Sequence, residues 1–215
     1  MSKKTMLPVI VAASLALFAL PSMASASEIH FEGATGTKFV VHGGPNIPKA
    51  ANEPAVTCET GQAQGEFTSE TTGVVQGYVS GCHFTLLGIT VKCRTAGSPL
   101  DNTIASSGTF HLITTTDGAA MLGTSNPTTI ICANSAKLEI GGSLITTITK
   151  PACGETSTEA TGVSSTTGGV QTHKTYTGKS YFPTAKTEPN GTFIETGVEA
   201  EGTTTFSKPL KLVCT

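Results

Sequence analysis

The sequence has no tryptophan, three tyrosines and one arginine, and only 13% of its 215 residues are charged, about half the usual share of roughly 25%. The thirteen basic residues are scattered, so there is no clustered Lys/Arg footprint to track a phosphate backbone or an anionic membrane. Aspartate is limited to Asp101 and Asp117, which leaves calcium loops and Ser-His-Asp triads poorly supplied. No serine sits on a G-x-S-x-G elbow. The cysteines form no C-x-x-C pair, and His30, His42, His83, His111 and His173 show no ligand spacing, so no metal site or cofactor is expected. Gly178-Lys179-Ser180 has the end of a phosphate-binding loop, but His173 stands where its leading glycine is required. Beyond the N-terminus no amphipathic stretch of helical period occurs, and a helical bundle is excluded.

What is abundant is threonine, with 37 after residue 26, together with 24 glycines and 11 prolines in the whole chain. β-branched residues favour strands, and Gly and Pro punctuate them. Lys3 and Lys4 precede an apolar run from Met6 to Leu20, followed by Pro21 and Ala24-Ser25-Ala26, the small-residue pattern of a cleaved secretory signal. Residues 1–26 are therefore read as a signal, with no stable membrane span after its removal and a secreted, extracytoplasmic destination. The remainder carries eleven basic and fifteen acidic residues, a balance of −4.

Six cysteines follow the signal: Cys58, Cys82, Cys93, Cys132, Cys153 and Cys214. An even count in an exported chain predicts a structural disulfide framework, with fifteen complete connectivities open. One pattern joins Cys82 to Cys93 across a hairpin turning at Leu87-Gly88. The other pairs Cys58 with Cys82. Both keep Cys132 near Cys153.

Residues 27–54 read as short strands, Glu28–Phe31 and Thr37–His42, followed by an exposed Pro-rich connector. From residue 55 many short strand candidates follow at close spacing, with Lys137–Ile140 and Leu144–Thr149 as separate strands and none between Thr149 and Val170. Asp117-Gly118 and Asn190-Gly191 are the best-specified turns. The expected fold is all-β: an antiparallel β-sandwich or barrel-like sandwich over 55–215, disulfide-stabilised, either as one larger domain or as two packed subdomains with a boundary near 118–127. Thr71–Gln76 and Thr166–Gln171 echo one another, in a composition where such matches arise easily.

Val56-Thr-Cys58, Tyr78-Val-Ser-Gly-Cys82, Val91-Lys-Cys93 and Ile131-Cys132, in a Thr/Gly-rich background behind a signal, resemble the exported, cysteine-paired, Thr-rich proteins found in many copies in some actinobacterial genomes. The likeness covers about residues 55–153 and implies no activity, cofactor or catalytic residue.

The function expected from these observations is a non-catalytic structural or interaction module outside the cell or at its envelope. Its partner is an unidentified protein or glycan rather than nucleic acid, and exposed strand edges favour self-association. A glycan-binding module using Tyr176 and Tyr181 is the alternative. A secreted hydrolase using Glu195, Glu199 or Glu201 is the third reading, set against the commoner role of such glutamates as a solvated strand face.

Overall fold

The computed structural model describes residues 29–45, 47–50, 56–86, 88–132, 136–172, 175–187, 191–192 and 194–215. The predicted signal, His173 and Asn190 lie outside them. Every described element is a strand: β1 (Ile29–Glu32), β2 (Lys38–Gly43), β3 (Ile47–Ala50), β4 (Val56–Thr57), β5 (Thr60–Phe67), β6 (Thr72–Ser80), β7 (His83–Leu86), β8 (Ile89–Thr95) and β9 (Thr103–Thr115) in the first half. The second half holds β10 (Gly118–Cys132), β11 (Ala136–Lys150), β12 (Thr156–Ser164), β13 (Thr166–Thr167), β14 (Val170–Gln171), β15 (Thr175–Tyr176), β16 (Lys179–Ser180), β17 (Pro183–Thr187) and β18 (Ile194–Cys214).

Eight of these close an antiparallel barrel. Its order around the ring is β2-β5-β6-β9-β10-β11-β12-β18, and β18 pairs back onto β2. Ring order follows chain order, so the topology is an up-and-down meander. β17 slots between β11 and the start of β18, while β8, β7 and β4 extend outward from β10.

Inward positions are apolar or small, while outward positions are mostly polar, with Val40 and Val74 exposed among them. Phe39 and Val41 on β2, Ala63 and Phe67 on β5, and Val75 and Val79 on β6 face the interior. Lys38, His42, Gln62, Gln64, Glu66 and Gln76 face out.

One end of the barrel is closed by aromatic packing. Phe31, Phe39, Phe67, Phe110 and Phe206 meet edge to face, with ring centroids 5.1–6.1 Å apart in six pairs. Each ring presents its positive edge to another's negative face, which adds to the area buried. Glycines make room for these rings: Phe39 lies over Gly65 and Phe110 over Gly73, so close that a Cβ at either glycine would overlap the ring. β1 lays Ile29 and Phe31 across this end against Leu210 and Leu212.

The disulfides pin opposite ends. Cys153–Cys214 ties the β11–β12 connection to the chain's last strand at the closed end, whereas Cys58–Cys82 and Cys93–Cys132 form a buried cluster with Val56, Ile104 and Ile130 at the other. Three disulfides indicate an oxidising, extracytoplasmic environment. Among the described residues no helix is long and apolar enough to cross a membrane.

The all-β expectation holds, with a barrel as the form taken, and four details need correction. The hairpin at Gly88 forms, with Leu86 opposite Ile89 and Gly88 at φ 80°, but its cysteines bond outward to β4 and β10 rather than to each other. Cys93 stands directly opposite Cys132 in the β8–β10 register, so the nearest sulfur lies on the neighbouring strand. Cys132 cannot meet Cys153, because the 15 residues of β11 separate them by roughly 45 Å of extended chain. The strands expected at Glu28–Phe31 and Thr37–His42 form as β1 and β2, but the stretch expected as a connector also holds β3, which pairs with β18. Nor does the chain divide near 118–127, where β10 runs unbroken from its Asp117-Gly118 turn, with a register shift between Ser125 and Thr128 at Pro127. The echoed segments also differ: the first lies on β6, the second in the small β13–β14 hairpin.

Phe67 packs against four rings of the aromatic plug at centroid distances of 5.1–6.1 Å, so its loss opens the centre of the packing. Phe67→Ala is expected to cost about 3–5 kcal/mol, read as a lowered urea midpoint with the disulfides intact. Replacing Cys153 and Cys214 together by Ser should cost about 2–4 kcal/mol in the same assay, as a cross-link closing a loop of this length does.

Candidate functional site: the barrel lumen

An eight-stranded barrel is just wide enough either to be filled by its own side chains or to hold one small ligand, and inward residue size decides between these. Here a continuous row across six adjacent strands consists of Ala160, Thr204, Val41, Ala63, Gly77 and Ser106 in direct register. A neighbouring row brings Gly162, Gly202, Gly43 and Gly61 side by side. Such rows cannot reach across the interior. The result is a cavity of about 990 Å³ running from the phenylalanine plug past Val75, Met121 and Ile148 to Ile140 and Ile130. That volume lies at the upper end of the roughly 300–1,000 Å³ usual for small-molecule sites.

The exposed surface of the lining is mostly apolar, although Ser and Thr hydroxyls and, at its border, Glu201 also reach it. Among the described residues, the inward positions of the eight barrel strands carry no acidic, basic or imidazole side chain. Several inward hydroxyls are already engaged: Thr146 and Ser164 share a hydrogen bond of 2.9 Å, and Ser125 donates to the Gly142 carbonyl at 3.4 Å. The cavity also reaches β17 and the start of β18, where Lys186, Thr196 and Ile194 line it. Lys186 is held there by Glu139 at 3.1 Å, and Ile194 remains 42% exposed.

The residues singled out from the sequence are distributed elsewhere. All six cysteines are disulfide-bonded. Glu195, Glu199 and Glu201 share the face of β18 opposite to Val198, Ala200 and Gly202, which line the lumen; of the three, Glu201 also borders the cavity, and Glu199 accepts a 2.5 Å hydrogen bond from the Thr166 hydroxyl. His42 and His111 are exposed on the outer wall, and His83 Nδ1 lies 3.0 Å from the Gly81 carbonyl. No group of three or more potential metal-ligating side chains occurs among the described residues.

Tyr176 and Tyr181 serve the outside of the wall. Ile113, Ala120, Leu122 and Ile145 make an outward apolar patch on β9, β10 and β11, and these two tyrosines pack against it from the excursion that holds β13 to β16. Gln171 clamps this cover: 1% exposed, it accepts from the Ile145 N–H at 2.9 Å and donates to the Tyr181 carbonyl at 3.3 Å. The lumen itself was invisible to sequence reading. Its available signal was the recurrence of glycine at alternate positions of strand-like segments, as in Gly61, Gly65, Gly73 and Gly77, which turn chemistry also explains.

Comparison with known proteins finds no matching family model, no matching curated protein and no matching solved structure. What the fold and cavity define is a class: closed, disulfide-pinned antiparallel barrels with a polar exterior and an apolar lumen.

Gln171→Ala leaves the buried Ile145 N–H without its side-chain acceptor and should cost about 1–3 kcal/mol. Hydrogen exchange checks the location: amides of 166–181 are expected to lose protection, while those of β5, β6 and β9 keep theirs.

Proposed function

We propose that this protein is an exported, non-catalytic binding protein that encloses one apolar or weakly polar small molecule in its barrel. The observation carrying this reading is the cavity of about 990 Å³ behind rows of inward glycine, alanine, serine and threonine. Burial of apolar ligand surface supplies the driving force, at about 25 cal/mol per Å² before the entropic cost of association. Apart from Lys186, which Glu139 holds in an ion pair, and Glu201 at its border, the cavity presents no acid or base, which supports binding without turnover. Export is supported by the signal-like N-terminus and by three disulfides.

The test uses the disulfide-intact protein, a fluorescent fatty-acid analogue and an uncharged naphthylamine dye. Saturable one-to-one binding is expected for at least one probe. Thr204→Trp, which projects a large ring from the row of small residues, should abolish binding while the thermal midpoint stays within a few degrees. Failure of both probes to bind, or binding indifferent to the introduced ring, would refute the reading.

A further inference from the structure

The outer wall carries a second concavity, on the other side of the strands whose Gln62, Gln76, Tyr78 and Ser107 also border the lumen's cavity. It is a groove of about 930 Å³ floored by the outward faces of β2, β5, β6 and β9. One wall is the connection from Thr95 to Thr103 and the other is the bulged part of β10 from Asn126 to Thr129.

The floor is ordered in two rows. Gln64, Gln76 and Ser107 stand opposite one another on β5, β6 and β9, and Asn126 Nδ2 extends the row by donating to Ser107 Oγ at 3.0 Å. In the next row Gln62 faces Tyr78, whose hydroxyl donates to Gln62 Oε1 at 2.8 Å. This bond holds Tyr78 in place although it is 44% exposed.

The wall is built as firmly as the floor. Arg94, the chain's only arginine, folds the connection by donating to the Ser98 carbonyl and lying 3.8 Å from Asp101. The Ser98 hydroxyl accepts the Leu100 N–H, Thr95 Oγ1 accepts the Ala105 N–H, and the Ala96 N–H donates to the Thr129 carbonyl. Leu100 is left 60% exposed beside the groove.

We infer that this groove is a binding site for a neutral oligosaccharide. Side-chain amides pair a donor with an acceptor in one plane, which suits the adjacent hydroxyls of a sugar ring. A fixed, exposed tyrosine offers the aromatic face on which the C–H side of a sugar packs. None of the residues lining the groove is acidic, basic or histidine, so nothing there selects a charged ligand. The site has a built rim and a pre-set floor, which lowers the ordering cost of a weakly held ligand. It also places sugar recognition on Tyr78, leaving Tyr176 and Tyr181 to cover the β9–β11 patch.

Calorimetry or NMR titration of the disulfide-intact protein with cello-, xylo-, chito- and malto-hexasaccharides tests this. At least one series should bind at millimolar concentration or better. Tyr78→Ala should weaken it about tenfold and Gln76→Ala several-fold, whereas Tyr78→Phe, which keeps the ring, should have the smallest effect. Unchanged amide spectra away from the groove establish that each variant is folded. Thr204→Trp should leave sugar binding intact. The inference is overturned if no neutral series binds, if only a charged polysaccharide or an extended peptide binds, or if the affinity ignores Tyr78→Ala. Loss of sugar binding in Thr204→Trp would likewise overturn it by placing the sugar in the lumen.

Discussion

The pairing of β18 with both β12 and β2 is the constraint on which the rest of the molecule depends. With it, a meander of strands becomes a ring; without it, two long edges would expose unpaired backbone and an apolar face together. β18 spans 21 residues and also receives β1, β3 and β17, so the strand that closes the wall organises the plugged end and the opposite end alike. Closure is geometrically demanding. Strands must coil and tilt together, and inward glycines relieve the crowding this creates, as where Phe39 lies over Gly65 and Phe110 over Gly73.

The same small residues that permit closure create the cavity. A barrel whose inward rows were Val, Ile and Leu throughout would fill its own centre, and the aromatic plug shows how the chain does so at one end. In the middle it does not. Stability is therefore shifted to the ends: five phenylalanines and Cys153–Cys214 at one, and two buried disulfides at the other. Cross-links suit this division, because they act on the unfolded chain and do not require a filled interior.

The outer face follows a parallel logic. Low charge leaves threonine, glutamine and serine to solvate the wall, and where apolar residues do face outward on β9 to β11 the chain spends an excursion and a buried glutamine to cover them. The lone arginine is used to fold one connection, Thr95 to Thr103, against the barrel. Scarce charged residues thus act as local fasteners rather than as a field.

Alternating β-branched residues, turn residues and six cysteines determined by themselves an all-β, cross-linked chain, because strand period, positive-φ turns and thiol number are local properties. The hairpin at Gly88 and the turn at Asp117-Gly118 were legible for that reason. β12 was not, since its inward residues are Ala160, Gly162 and Ser164 and a cavity leaves no hydrophobic imprint on the strand that lines it. β11 read as two strands because Gly141-Gly142 resembles a break, although it is a bend within one continuous element. Only the tertiary structure decided which cysteines meet, which tyrosine stays exposed and that a lumen exists at all. Each of these depends on which strands become neighbours around the ring, a relation between distant segments that no local pattern records.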